Sequence, residues 1–273
     1  MKSKQDVVDG VRLWTKWWIN QRRLKLEDQL SESMSVNPFL LPFLFDYHDL
    51  DDFEGLADLI IASHLMIGHG TGFGKLIDEK ILPQVFGTVK LDSTYRKTTN
   101  PYLEAAFNEI DHLVTRQDGT KELLSLKAGR WTIQLTMAMQ LNYAFNEIVT
   151  NHAGLCNKIV VGVFYGKADN LTDKYDILRG INRGANHSVT DLQQHVEVYS
   201  GRDFWKWLND GENDTQEWVL QGIIEALEES KIHETSKELL AKFKAGVVAK
   251  YEADIREADG SLNWYKLLKK ING

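Results

Sequence analysis

Asp111 and Lys127 are the residues of this sequence whose types and spacing could do chemistry. Each lies on a short apolar segment, FNEIDHLVTR (107–116) or ELLSLK (122–127), and a short loop that contains Asp-Gly joins the two segments. Two such runs around a glycine-containing loop predict a β-hairpin. A lysine that ends an apolar strand needs either solvent or an anion, because an unpaired buried amine is costly. Asp111 is the candidate partner.

The length of the hairpin loop decides whether the two side chains meet. With a two-residue turn, Lys127 would lie on the opposite face from Asp111, because strand side chains alternate between faces. With a three-residue loop in which Gly119 takes a left-handed conformation, Asp111 would lie opposite Ser125 and Lys127 opposite Glu109. These four side chains would then share one face, and the residues alone leave both registers open.

A face that carries a carboxylate and a lysine suits phosphodiester hydrolysis. A divalent cation such as Mg²⁺ needs hard oxygen ligands, and a nearby ammonium group can orient the attacking water and offset charge in the transition state. An ordinary salt bridge across a hairpin would have the same residues, and structural ion pairs far outnumber catalytic ones. Both interpretations remain open at this point.

Composition is compatible with an enzyme and does not select one. The chain has 273 residues, 43% of them hydrophobic, which is enough for a substantial core. The single cysteine, Cys156, excludes a disulfide framework within one chain and favours a reducing compartment. We see neither a signal peptide nor a stretch long enough to span a bilayer, so we expect a cytoplasmic protein without a membrane partner.

The net charge of −7 argues mildly against a nucleic-acid partner. Its distribution weakens that argument. Acidic residues crowd into segments 45–58 and 209–218, whereas segment 177–190 contains arginine and histidine and no acidic residue. DNA affinity depends on the local binding surface rather than on the sum of all charges.

The order of predicted elements is helices, then strands, then helices. We predict a helix over 4–34, a helix that ends in the glycine-rich HGTGFG (69–74), a core strand at 157–166 and a further strand at 195–201. The glycine-rich stretch does not match a P-loop, because Leu76 follows its Gly-Lys pair where Ser or Thr is required. The pattern predicts an α/β (α+β) fold with a mixed central sheet flanked by helices.

A strand with Asp, a hairpin, a strand that ends in Lys, a helix and another core strand resemble the core of the PD-(D/E)XK nucleases, the fold of many type II restriction endonucleases. The resemblance extends over nearly the whole chain to those that cut purine-G-G-N-C-C-pyrimidine (RGGNCCY), through runs that include NPFLLPFLFDYHDLDDF, GFGKLIDEKILPQVFG, ELLSLKAGRWTIQLTMAMQLN and LTDKYDILRGINRGANH. It implies a restriction-endonuclease-like core with additional N- and C-terminal helices, and Mg²⁺-dependent cleavage of double-stranded DNA that leaves 5′-phosphates.

The resemblance also implies roles for single residues. Asp111 is the expected metal-binding aspartate and Lys127 the catalytic lysine. Ser125 occupies the position where the family usually has Asp or Glu, and a hydroxyl is a weaker magnesium ligand than a carboxylate. Either a second carboxylate comes from elsewhere, or the metal is held by Asp111, a backbone carbonyl, water and the DNA phosphate. Glu79 and Glu109 are the candidates for catalysis and metal binding, with solvated surface roles as the alternative.

The segment 167–193 is the expected DNA-recognition loop. Guanine is most often read by a bidentate Arg or Lys, and the candidate DNA-binding residues are Lys174, Arg179, Asn182, Arg183, Asn186 and His187. The alternative is an ordinary connection with solvated charges. Gln134 lies on the first turn of the helix that we predict after Lys127, beginning near Thr132. It is expected to hold a phosphate or Lys127, or to cap that helix.

The resemblance implies a two-fold symmetric homodimer, because each subunit would read one half of a palindromic site. We predict helical segments at 1–36 and 212–273 as dimerisation elements around a nuclease core at 37–211. A DNA methyltransferase is expected in the same system, without direct contact. Two other functions stay open: a structure-specific repair or recombination nuclease, and a non-catalytic DNA-binding protein, for which Ser125 is the main argument.

Overall fold

The structure is a computed structural model that describes residues 1–29, 37–129, 133–182, 184 and 186–273. Its helices are α1 (Lys4–Gln29), α2 (Leu40–Tyr47), α3 (Phe53–Leu76), α4 (Ser93–Thr98), α5 (Leu135–Asn151), α6 (Lys174–Ile177), α7 (Arg202–Leu208), α8 (Thr215–Ser230), α9 (Ile232–Ile255) and α10 (Trp264–Asn272). A π-helical segment spans Ile77–Val85, and 3₁₀ turns span Ala105–Glu109 and Ala168–Asn170. The strands are β1 (Val89–Lys90), β2 (His112–Thr115), β3 (Lys121–Lys127), β4 (Lys158–Val163) and β5 (Val196–Ser200).

The five strands of the described chain form one sheet in the order β1-β2-β3-β4-β5. Strand β2 is antiparallel to both β1 and β3, whereas β3, β4 and β5 run parallel to one another. The parallel pair β3 and β4 needs a crossover, and α5 supplies it. The predicted fold class, a mixed sheet flanked by helices, is confirmed.

The chain divides into two compact units, and each is built from separate stretches of sequence. The sheet unit consists of Met1–Thr15 and Gly74–Ala226, and the helical unit consists of Lys16–Phe73 and Leu227–Gly273. These boundaries do not coincide with the predicted ones after residues 36 and 211. The predicted dimerisation roles of the terminal segments stay predictions.

The core of the sheet unit lies mainly between the sheet and α5. Leu141, Phe145 and Ile148 of α5 are fully buried and belong to one cluster with Leu123 of β3 and Val161 of β4. The apolar stripe of the helix therefore covers the alternate, inward-facing positions of the strands.

The other face of the sheet packs against α7. A Cβ atom on Gly162 of β4 would lie 2.4 Å from a ring carbon of Phe204 and 2.8 Å from Leu124. Only glycine leaves room for the Phe204 ring at this point, so the sheet is buried on both faces near β4.

The hairpin has the three-residue register. Leu113 pairs with Leu123 and Thr115 pairs with Lys121, which extrapolates to Asp111 opposite Ser125. Gly119 has a φ of 84°, the left-handed conformation that a bulge of this type requires. The register that places Asp111 and Ser125 on one face is therefore confirmed.

Two local predictions are wrong. Strand β2 begins only at His112, and Glu109 ends the preceding 3₁₀ turn, so Glu109 is not a strand residue opposite Lys127. The glycine-rich stretch lies inside α3 and does not end it. Glycine is tolerated there because a Cβ atom on Gly72 would lie only 3.2 Å from Nε1 of Trp18 on α1, so the missing side chain admits a close helix contact.

The helical unit has its own core. Phe53 and Leu56 of α3 pack with Phe243 and Tyr251 of α9 and with Leu267 of α10. The helical prediction for the chain after Glu217 is confirmed by α8, α9 and α10. Within the described ranges, no helix is long and apolar enough to cross a membrane.

Candidate active site

The candidate site lies at the edge of the sheet where the parallel strands have their carboxyl ends. Lys127, the last residue of β3, pairs with Val163, the last residue of β4, which pairs with Ser200, the last residue of β5. Asp111 directly precedes β2, which is antiparallel to β3, and therefore reaches the same edge. This edge is where ligands bind in open sheets with parallel strands.

The Asp111 carboxylate is held by the backbone of β3. Its Oδ2 accepts a hydrogen bond of 2.6 Å from the amide of Leu126, and its own amide donates to the carbonyl of Leu124 at 2.8 Å. Burial raises the pKa of Asp111 above its ordinary value, although the charge of Lys127 and the Leu126 amide act in the opposite direction. The anionic carboxylate is thus under-stabilised by the protein alone, and a cation would stabilise it.

A second carboxylate, Asp78 in the π-helical segment, lies beside this site. Its Oδ1 is 2.8 Å from Nε2 of His112, and its Oδ2 forms an ion pair with Lys90. Burial acts to raise the pKa of Asp78, but the hydrogen bonds from His112 and Lys90 and the charge of Lys90 outweigh it and lower the pKa. The negative charge of Asp78 in turn raises the pKa of Asp111.

His112 fixes the position of Asp78. The ring is fully buried, and its Nδ1 lies 3.0 Å from Oγ1 of Thr88 while its Nε2 faces Asp78. Two neighbouring carboxylates whose pKa values are shifted in opposite directions are a recurrent mark of functional sites. The sequence signal for this pair was His112 itself, an ionisable residue inside an apolar strand and next to Asp111.

The remaining predicted site residues are placed as follows. Ser125 is fully buried, and its hydroxyl has no hydrogen-bond partner among the described residues. Lys127 is half-buried, and its charge acts to lower the pKa of Asp111. It forms no ion pair with a described carboxylate, so its ammonium group is available to a ligand. Glu79 is exposed and Glu109 half-buried, and neither makes a hydrogen bond or ion pair to a described residue. The described carboxylate whose charge acts on Asp111 is instead Asp78, the neighbour of the predicted Glu79.

Arg96 of α4 holds the segment that leads into Asp111. Its guanidinium donates to the carbonyls of Leu91, Phe107 and Ile110, each at 2.5 Å. The guanidinium also donates to the carbonyl of Tyr102, at 3.4 Å. A charged donor shared among these carbonyls fixes the end of the 3₁₀ turn, and with it the start of β2.

We expect Arg96→Met to lower the free energy of unfolding by about 3 kcal/mol, because these carbonyls lose a charged donor while the apolar stem is kept. Urea denaturation followed by circular dichroism measures the change. Lys97→Met, at the exposed neighbouring position of α4, is the control and should change it by less than about 0.5 kcal/mol. Equal denaturation midpoints for the two variants would contradict the role of Arg96.

The predicted DNA-contacting residues are partly engaged in the protein. Nε of Arg179 donates to the carbonyl of Val196 at 3.1 Å, and Lys174, the first residue of α6, forms an ion pair with Asp173. The amide oxygen of Asn182 accepts the backbone amide of His187 at 3.1 Å. Asn186 likewise accepts the amide of Ser188, so both asparagines shape the loop. Arg183 lies outside the described residues.

Asn142 of α5 closes this loop, which the sequence did not indicate. Its Nδ2 donates to the carbonyls of Leu178 and Thr190 at 3.1 and 2.8 Å, and its Oδ1 accepts the Thr190 amide at 2.9 Å. The amide of Leu192 donates to the carbonyl of Arg179 at 2.9 Å. The segment between Arg179 and Thr190 is thus a loop whose two ends are tied together.

Gln134 is the N-cap residue of α5, which begins at Leu135, and its exposed side chain makes no capping hydrogen bond. The capping alternative is therefore wrong, and the phosphate contact stays a prediction. The predicted start of this helix near Thr132 falls outside the described residues.

The side-chain oxygens at this site are of the chemical type that a hard divalent cation binds. Asp111 and Asp78 offer carboxylate oxygens, and the buried hydroxyl of Ser125 is unpartnered. Among the described residues, no group of three or more His, Cys, Asp or Glu side chains is arranged to hold a metal ion. A cation here would thus take only part of its ligands from acidic side chains.

Neither the protein-family models nor the curated proteins give a match to this sequence.

Proposed function

We propose that this protein is a magnesium-dependent type II site-specific deoxyribonuclease with a PD-(D/E)XK core, which cuts double-stranded DNA at RGGNCCY. The observation that carries the proposal is the presence of Asp111, with its raised pKa, and Lys127, whose charge acts on Asp111, at the carboxyl edge of the parallel strands. Lys127 forms no ion pair with a carboxylate in the described part of the chain. The resemblance of the sequence to restriction endonucleases supports the same function.

Each residue of the site has a separate role in the proposed hydrolysis. Asp111 and Asp78 would hold the Mg²⁺ ion, which when bound polarises the scissile phosphate and acidifies a water molecule. Lys127 orients the attacking water and stabilises the negative charge that develops on the phosphate. The 3′ oxygen leaves, and the product carries a 5′-phosphate. His112 acts as a positioning residue, because it touches Asp78 and not the substrate.

The loop that Asn142 closes is the proposed DNA-reading element, and it contains Arg179 at one end and His187. A fixed loop is required for sequence discrimination, since misplacement by about 1 Å weakens bidentate base contacts. The palindromic site implies a homodimer that reads one half-site with each subunit.

We expect Asn142→Ala to lower the ratio of specific to non-specific DNA binding about tenfold or more, because Leu178 and Thr190 lose their link and the loop is no longer fixed. Fluorescence anisotropy with a cognate and a scrambled duplex in calcium measures both affinities. Asn151→Ala, at the exposed end of the same helix, is the control. If Asn142→Ala leaves the ratio of specific to non-specific binding unchanged, the hydrogen bonds of Asn142 do not contribute to DNA recognition.

One observation favours a second function, a non-catalytic DNA-binding protein. The position opposite Asp111 carries Ser125, whose hydroxyl supplies no charge to a cation. Comparing calcium with magnesium separates the two functions. A nuclease binds duplex DNA in calcium and cuts it in magnesium, whereas a binding protein leaves the bound DNA intact in both ions.

A further inference from the structure

A cavity of about 250 Å³ lies within the helical unit, between α1, α3 and the helices α8 and α9. Its wall is largely apolar and includes Leu26, Ile232 and Leu239. The polar groups in the wall include Arg22, Arg23 and His69. An apolar cavity with a few convergent polar groups is the ordinary form of a small-molecule site.

Arg22 is the unusual member of this wall. Its side chain is half-buried, and its Nε donates to Nδ1 of His69 at 3.2 Å. Among the described residues no carboxylate pairs with it, whereas Arg23 on the same wall forms an ion pair with Glu27 at 2.6 Å. Burial lowers the pKa of the Arg22 guanidinium. A half-buried guanidinium without a carboxylate partner can pair with the anion of a ligand.

His69 cannot supply the missing anion. Burial lowers the pKa of His69, and the charges of Arg22 and His64 lower it further, so the ring that accepts from Arg22 is neutral. Glycine on α3 lets the guanidinium lie close to that helix, since a Cβ atom on Gly68 would be only 3.0 Å from Nη2 of Arg22. The backbone of α3 thus leaves room for the charged group at the cavity wall.

We propose that this cavity binds a small organic monocarboxylate whose carboxylate pairs with Arg22 and whose apolar body fills the space beside Leu26, Ile232 and Leu239. One unpaired guanidinium matches one negative charge, and the planar fork of arginine suits a carboxylate. A cavity of about 150 Å³ is large enough for benzene, so 250 Å³ accommodates a short fatty acid or an aromatic acid. This site is separate from the proposed nuclease site and does not depend on it.

Isothermal titration of the full-length protein with sodium octanoate tests the proposal, with sodium benzoate as a second probe and octan-1-ol as the uncharged match. We expect saturable binding of one carboxylate per chain and at least about tenfold weaker binding of octanol. Arg22→Gln should weaken octanoate binding about tenfold or more, whereas Arg23→Gln, with its ion pair to Glu27 already in place, should change it less than about threefold.

Two further measurements separate loss of the site from loss of the fold. Without ligand, Arg22→Gln should melt close to the wild type, because the half-buried guanidinium has no ion pair with a described carboxylate to lose. Ser236→Phe should fill the cavity and block octanoate without touching the cation. The proposal is overturned if neither acid binds the wild type saturably, if octanol binds as tightly, or if either Arg22→Gln or Ser236→Phe binds octanoate as the wild type does.

Discussion

Asp111→Asn is expected to lower the rate of DNA cleavage by about 1,000-fold, because the carboxylate that would bind the metal in the proposed mechanism loses its charge. Single-turnover cleavage of a cognate duplex in magnesium measures the rate. Asp118→Asn is the matched control, since Asp118 lies on the exposed turn of the same hairpin and only caps the amide of Thr120. It should cleave at nearly the wild-type rate. Similar rates for Asp111→Asn and Asp118→Asn would remove Asp111 from the mechanism.

Asp111→Asn should be at least as stable as the wild type when metal is absent. Burial raises the pKa of Asp111 in the folded state, so above its ordinary value of 3.8 the charged carboxylate opposes folding. Asparagine has no such charge and can still accept the Leu126 amide. The stability advantage of the variant should therefore be largest at neutral pH and disappear as the pH falls to 3.8 and below. If the stability advantage of Asp111→Asn instead grew as the pH fell, it would contradict a raised pKa for Asp111.

Ser125→Asp is expected to make folding depend on magnesium. Without metal, a carboxylate at this fully buried position, next to Asp111, should lower the free energy of unfolding by roughly 3 kcal/mol or raise its own pKa. Saturating magnesium should restore the stability, because the cation binds the folded state and pairs with the new charge. The cleavage rate in magnesium should rise about tenfold, since a carboxylate is a better magnesium ligand than a hydroxyl.

Ser200→Asp is the control for this prediction. Ser200 is also buried with an unpartnered hydroxyl, and it ends β5, two strands away from Lys127 at the same edge of the sheet. We expect Ser200→Asp to be destabilised to a similar degree, without rescue by magnesium. Equal magnesium rescue of both variants would indicate non-specific ion binding, and rescue of neither would show that Ser125 does not face a cation.

The parts of the fold that follow local rules were predictable from the sequence. The hairpin follows from its two apolar runs around Asp118 and Gly119, although only the structure decides between its two possible registers. The long C-terminal helices follow from their periodicity. The prediction that the glycine-rich stretch ends a helix was wrong. Glycine is favoured within α3 because the helix lies close to Trp18 there, and a contact between distant residues cannot be predicted from local sequence.

Only the site residues that lie on the β2–β3 hairpin or directly before it were predictable from the sequence. Asp111, Ser125 and Lys127 are brought together by short-range pairing, which the sequence pattern encodes. Asp78 comes from a π-helical segment more than 30 residues earlier, and only the folded chain shows that Asp78, and not the adjacent Glu79, faces His112. Asn142 was missed for the same reason, since its partners lie 36 and 48 residues away in sequence.

The most direct test of the proposed function is digestion of phage lambda DNA with the wild type and with Asp111→Asn in magnesium, followed by sequencing of the fragment ends. We expect discrete fragments with 5′-phosphates from the wild type alone, all of them ending at purine-G-G-N-C-C-pyrimidine. Intact DNA with both proteins, despite retained DNA binding, would contradict the nuclease and favour the binding protein, with Ser125 as the reason.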